Sequence, residues 1–224
     1  MRWPWSSRVD PSPRFHVPDR RTPLPACTLR ALHADDHAAC EAIYRLNEPG
    51  RFPPGVFPEF SAWLRDGRAA VLGVERDGRL CGFGGIQLRK TAQSHLAWLS
   101  FGMVDPACQR QGLGTALLLG RLALLPAAAL PCTLVMTNVG GSDAFYRRFG
   151  FRFWRKLPSG RLQIPLDVHR ALFTAADTAR CELALWPAWL APALRAAPPP
   201  GLWRADDGAP GPAGERQEAN PAPS

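Results

Sequence analysis

Residues 104–116, Val-Asp-Pro-Ala-Cys-Gln-Arg-Gln-Gly-Leu-Gly-Thr-Ala, constrain this chain more than any other stretch. Ahead of them, the apolar and small residues from His95 to Val104 read as a buried strand. Behind them, residues 115–125 are almost all Ala and Leu, a helix that must be covered on most sides. A turn joining strand to helix sits at the helix N-terminus, where the first backbone N–H groups have no intrahelical partner and the dipole favours negative charge. Gly112 and Gly114 lack Cβ atoms, so an anionic group such as a pyrophosphate can approach the main chain closely.

Three phosphate-binding patterns separate on residues. A nucleotide-hydrolase loop needs a lysine after its last glycine, and this turn contains none. The dinucleotide fingerprint needs a third glycine where Leu117 stands. The remaining pattern, Gln109-x-x-Gly112-x-Gly114 after a strand ending Val104-x-Pro106, resembles the acetyl-CoA motif of the GNAT superfamily, the acyl-CoA-dependent N-acetyltransferases.

A second motif points the same way. Cys132–Asn138 is rich in β-formers, and after Val139-Gly140-Gly141 comes Ser142-Asp143-Ala144-Phe145-Tyr146-Arg147-Arg148-Phe149-Gly150-Phe151. This is similar to the family's Asn, short helix and Phe-Tyr-x-x-x-Gly-Phe. Ser142 is expected to cap a two-turn helix and Gly150 to end it in a left-handed conformation. Asn138 and Tyr146 stand one residue further apart than the family usually has them, with Gly140-Gly141 absorbing the extra residue.

The upstream chain fits the same plan: a first strand over residues 26–32, a helix over 33–45, an aromatic loop and helix over 52–65, and strands over 69–76 and 79–88. Asp77-Gly78 between the last two is a hairpin signal, because both residues tolerate positive φ. The expected fold is α/β, a GNAT-like mixed central sheet flanked by helices, with the cofactor cradle between the fourth strand and the following helix. Residues 26–168 form the expected acetyltransferase domain. Residues 1–25, rich in proline, and 196–224, rich in Pro, Gly and Ala, are expected to stay disordered. Residues 169–195 read as a helical extension whose Trp186 and Trp189 pack on the domain or a partner.

The resemblance implies direct acetyl transfer from acetyl-CoA to an amine in a ternary complex. The cofactor set it implies is Met103, Val104, Gln109, Arg110, Gln111, Gly112, Leu113, Gly114, Thr115, Asn138 and Tyr146. The Val104 N–H would polarise the thioester carbonyl and Tyr146 would serve the departing thiolate; a half-buried packing tyrosine is the plain alternative. Residues 96–104 lack the glutamate that many relatives carry as base, so a water relay or Glu59 stands in for it. Phe52, Phe57, Glu59 and Trp98 are the candidate acceptor contacts, and Phe60 and Trp63 belong either with them or with the core. The alternative function is a CoA-binding regulatory or interaction module without turnover.

Composition adds bounds. The net charge of +8 rests almost wholly on arginine, with lysine only at 90 and 156, so richness in Arg, Ala, Pro and Gly reads as coding bias and gives a nucleic-acid partner little support. Arg110 could meet a phosphate. Six scattered cysteines form no Cys-x-x-Cys pair, which suits a reducing compartment; Cys108 beside the turn is a candidate reactive thiol. His33 and His37 lack a third ligand, and no metal is expected. With no signal peptide and no ~18-residue apolar run, a cytoplasmic protein without a membrane partner is expected. The acceptor class is a small-molecule amine or a protein amino group, and a homodimer is compatible with this reading.

Overall fold

The computed structural model describes residues 13–19, 23–49, 51–52, 55–67, 69–91, 94–138, 141–158, 165–185, 187–191, 194 and 201–204. In chain order the elements are β1 (Thr28–Ala31), α1 (His37–Asn47), α2 (Val56–Arg65), β2 (Ala70–Arg76), β3 (Arg79–Lys90), β4 (His95–Val104), α3 (Leu113–Ala123), β5 (Cys132–Asn138), α4 (Asp143–Arg147), β6 (Arg152–Pro158), β7 (Pro165–Phe173), α5 (Ala175–Ala184), β8 (Trp189–Leu190) and β9 (Trp203–Arg204). One mixed sheet runs β6-β7-β5-β4-β3-β2-β1-β8, with β9 added to β3. The parallel pairs are β4–β5, β1–β8 and β3–β9. Asp77 and Gly78 take φ of 53° and 73° in the β2–β3 turn, the positive values a tight hairpin needs.

Alternation along the strands divides the apolar residues between two cores. On β2, Ala70, Leu72 and Val74 enter one cluster and Val71 packs against the other, as side chains pointing to opposite faces must. The first cluster is largely aliphatic and takes in nearly all of α3. That helix is buried from Thr115 to Leu122, as its Ala/Leu composition requires. The second joins α1 and α2 to the sheet through Tyr44, Phe60, Phe83 and Met103.

Sequence boundaries shift where non-local pairing decides them. The expected domain end at Val168 falls inside β7, which pairs with β5 from Asp167 to Phe173. α5 packs on α3, and β8 extends the sheet beside β1, so residues 169–185 and 187–190 are part of the same body. Phe15 and Leu24, inside the stretch expected to be disordered, are core residues at 2% and 3% exposure. Phe15 meets Phe149, Phe151 and Phe173, and its N–H donates to the Leu172 carbonyl at 2.9 Å. From the C-terminal stretch, Leu202 is 1% exposed and accepts a hydrogen bond from the Leu88 N–H. Trp186 lies outside the described residues; Trp189 is 56% exposed although its backbone pairs with β1.

All six cysteines are free and buried. Burial pushes the Cys27 thiol up to about 11 and those of Cys40 and Cys132 to about 12, and it raises Cys181 as well.

Candidate active site

The site begins where two parallel strands part. β4 and β5 pair from His95↔Cys132 to Leu99↔Met136 and no further. β5 then stays with β7 as far as Asn138↔Asp167, while β4 stays with β3 as far as Val104↔Gly82. A bulge in β4 marks the divergence. Ser100 faces Gly85 and Met103 faces Phe83, so Phe101 and Gly102 together oppose Gly84, and Phe101 takes φ +43°. Such a bulge bends and twists its strand, which opens a cleft between the ends of β4 and β5.

Past the bulge the strand alternates again. The Asp105 N–H donates to the Cys81 carbonyl at 2.8 Å, so antiparallel alternation turns the Val104 N–H away from β3 and toward the cleft. The same alternation commits the Met103 N–H to β3, against the expectation that both main-chain groups are free for a ligand. The Val104 carbonyl accepts from the Asn47 and Gln109 side-chain amides at 3.1 and 3.0 Å. Gln109 is therefore turned inward as a brace of the turn, also donating to Asn47 Oδ1, rather than outward to a ligand.

Beyond Val104 the turn presents its main chain. Among the described residues the N–H groups of Arg110, Gln111, Gly112, Leu113 and Gly114 have no acceptor. Arg110 at φ +60° and Gly112 at φ +88° curl the backbone, the kind of alternation that points successive N–H groups into one concavity. Nothing in the chain itself demands glycine at 114, where a Cβ would meet Phe145 and Val104 only at ordinary contact, 3.8 Å. Arg110 is exposed at this concavity, and Thr115, 6% exposed, points into the protein.

Tyr146 reaches the other side of the cleft. α4 is five residues long, shorter than the two turns expected, and the Ser142 hydroxyl donates to Asn138 Oδ1 at 2.8 Å instead of capping the helix. Asn138 also donates to Asp143, so its side chain ties β5 to α4. Gly150 ends the segment at φ +84° as expected, and a Cβ there would stand 2.0 Å from the Arg14 carbonyl oxygen. Tyr146 is 9% exposed and packs edge-on against Phe145 and Phe151.

Beside it lies a group the sequence reading missed. Arg121 of α3 is 2% exposed, and its Nη2 and the Tyr146 oxygen border the same space over Gly102. Its Nε donates to the Leu117 carbonyl at 3.3 Å and its Nη1 to the Gly85 carbonyl at 3.2 Å. Burial works against its charge, and Tyr146 works the other way. The signal was present: one arginine inside a helix that must be covered on most sides has to be buried.

The acceptor-side residues gather on the opposite face. Phe60 is fully buried; Phe52, Phe57, Trp63 and Phe101 are partly buried around it. Phe52 stacks on Tyr44 at 5.0 Å, and Arg45 lies 3.4 Å over the Phe57 ring. Trp63 and Phe101 are 4.7 Å apart, which links this face to the bulge. Glu59 is half-buried in the first turn of α2, and no contact to Val104 or Tyr146 joins it to the cleft among the described residues. Burial first, then Glu48 and Glu59, push the nearby Tyr44 hydroxyl up to about 12. Trp98 pairs with Val135 in the still-closed half of the β4–β5 pair, under the Arg89 guanidinium at 5.6 Å, so it stands back from the opening.

Other candidates resolve into structure. Cys108 is 2% exposed and accepts from the Arg79 guanidinium at 2.9 Å, which removes the access a reactive thiol needs. His33 closes a turn by donating its N–H to Asp36, and no third ligand joins it and His37 among the described residues. Asp143, Asp167 and His169 bring ligand atoms within 4.8 Å of one another; there His169 Nε2 lies 3.3 Å from Asp143 and Lys156 3.7 Å from Asp167. No helix among the described residues is long and apolar enough to cross a membrane.

Known proteins share this frame. The ribosomal-protein-alanine N-acetyltransferase from Brucella melitensis superposes with a TM-score of 0.50 at 23% identity, covering 65% of this chain and 99% of its own. Arabidopsis thaliana Naa50, in complex with the bisubstrate analogue CoA-Ac-MVNAL, gives 0.50 at 15% identity over 66% of this chain and 100% of its own. A GCN5-related N-acetyltransferase from Rhodopseudomonas palustris gives 0.53 at 13%, over 69% and 100%. No curated protein matches the chain in sequence. At these identities the likeness is one of fold. The model of the acetyltransferase (GNAT) family matches residues 37–151, from the first helix through the Gly150-Phe151 end of the second motif, and the chain belongs to that family.

Proposed function

We propose that the protein transfers an acetyl group from acetyl-CoA to an amine in a ternary complex. The observation that carries this is the row of five N–H groups, residues 110–114, that have no acceptor among the described residues, beside the cleft where β4 leaves β5. A pyrophosphate fits such a helix-terminal concavity, since partial positive charge and donors converge there. Pantetheine would run along the β4 edge, and the Val104 N–H would donate to the thioester oxygen as negative charge develops on it. The amine nitrogen attacks the carbonyl carbon, the C–S bond breaks, and Tyr146 gives its hydroxyl proton to the departing sulfur. The proton lost by nitrogen passes to water, because β4 carries no carboxylate.

The acceptor is read as a primary amine, on a small molecule or a protein, approaching over the Phe57 and Trp63 side. Of the named relatives, one acts on a ribosomal-protein alanine and another is held with the bisubstrate analogue CoA-Ac-MVNAL. Calorimetry with acetyl-CoA, followed by an amine screen with detection of released thiol, tests the reading. Binding with turnover on at least one amine is the expected result. Absence of heat with saturating acetyl-CoA would falsify it, and binding without turnover on any amine would turn the protein into a CoA-responsive module.

A further inference from the structure

We infer that Arg121 is a positioning residue for the acetyl-transfer step, a buried cation that holds Tyr146 and stabilises the thiolate departing from CoA. This rests on the acetyltransferase reading above. Arginine in an aliphatic helix face is costly, because charge leaves water. Among the described residues no carboxylate lies within 4 Å of its guanidinium. Its hydrogen bonds go to two carbonyl oxygens, and the Tyr146 hydroxyl lies beside it over Gly102.

The surrounding strands are shaped to hold it. A Cβ at Gly84 would stand 2.8 Å from Nη1, and one at Gly102 would stand 3.1 Å from Nη2 and 3.3 Å from the Tyr146 oxygen. Glycine at both positions leaves the space that the guanidinium and the phenol share. Gly102 belongs to the bulge and is exposed, whereas Arg121 behind it is not, so the cation faces the cleft through a thin wall.

A buried cation with no protein anion is matched to an anion that arises during the reaction. Nitrogen forms its bond to the carbonyl carbon, the C–S electron pair moves to sulfur, and the Tyr146 proton moves to that sulfur. The phenolate left behind lies against Arg121 and regains its proton from water as the acetylated nitrogen loses one. From C–S cleavage onward the negative charge, on sulfur or on the phenol oxygen, is on Arg121's side of the cleft. Because arginine stays protonated under any working condition, the cation is constant through the cycle.

Ligand binding tests this without turnover. CoA acquires a thiolate above the ordinary thiol range, near pH 8.5, and acetyl-CoA does not. Between pH ~7 and ~9.5 the wild-type affinity for CoA relative to acetyl-CoA should rise about tenfold by calorimetry, as for one opposite charge at close range. Arg121→Met should abolish the rise while keeping acetyl-CoA affinity, and Arg121→Lys should retain part of it. Loss of the buried charge should leave the melting temperature of Arg121→Met equal or higher, with transfer roughly tenfold slower. A rise that persists in Arg121→Met overturns the inference, as does a variant that melts earlier yet turns over normally per folded molecule. If CoA and acetyl-CoA both bind with no pH-dependent preference even in wild type, this inference falls and the cradle stands; if neither binds, the acetyltransferase reading falls and takes this one with it.

Discussion

The two faces of the sheet are built from different materials. Around α3 the core is mostly leucine and alanine, with its phenylalanines gathered at the β6–β7 end, and the groups offered to a ligand are main-chain N–H donors at residues 104 and 110–114. Around α1 and α2 the core is aromatic, and what it offers is ring faces at Phe52, Phe57 and Trp63. Main-chain donors recognise what every acetyl-CoA has in common, whereas side chains are free to differ for each acceptor. The faces meet at the bulge, where Phe101 packs into the aromatic cluster and its neighbour Gly102 borders Arg121 and Tyr146.

Substitutions should break the faces separately. The largest effect is expected from Gly112→Glu, which places a carboxylate and a Cβ in the anion concavity at φ +88°. Acetyl-CoA affinity should drop by ~100-fold or more in calorimetry, with amine-side contacts untouched. Tyr146→Phe comes next: transfer should slow by roughly 10²-fold in single-turnover measurements while acetyl-CoA affinity and melting temperature hold. Equal rates for the two proteins would remove the hydroxyl from the chemistry. On the aromatic face, Phe57→Ala should raise the KM for the amine about tenfold and leave acetyl-CoA affinity unchanged, since a partly buried ring is lost from the acceptor side; a change in cofactor affinity instead would erase the distinction between the faces.

The smallest effect lies away from both. Hydrogen bonding from Arg30 holds the Asp36 carboxyl down at about 2, below its ordinary 3.8. Because the folded-state value is the lower one, the pair stabilises the protein above pH ~3.8 and that contribution disappears as pH falls toward ~2. Asp36→Asn should flatten acid unfolding across that window and change little at neutral pH. An unchanged acid profile would show the pair to be energetically silent.

The same division explains what could be read from sequence. β4 and β5 have the bounds expected of them, and the glycine turn lies between strand and helix, because backbone geometry restricts which residues can stand there. The bulge at Phe101 carries no local mark, since only pairing with β3 creates it. Phe15, Leu24 and Leu202 are single apolar residues in polar, proline-rich surroundings, and their burial depends on surfaces supplied by distant strands. Arg121 was visible as an oddity in its helix, but its neighbour Tyr146 lies 25 positions away and only the fold joins them. Gln109 and Asn138 were read as ligand contacts, and in the structure their side chains also brace the loops, because polar side chains near a motif satisfy the backbone as readily as a ligand.

The six buried thiols have a practical consequence for enzymology on this protein. Disulfide reagents react with thiolates, and protonated sulfur out of solvent reacts slowly. In the folded state the chain's own cysteines should therefore be nearly silent to such a reagent, so colour developed during turnover counts released CoA. Once denaturant is added, the same reagent should register all six cysteines. One mixture then reads product formation and the intact fraction of enzyme in succession, and each variant's rate can be normalised to the molecules that were folded when it was measured.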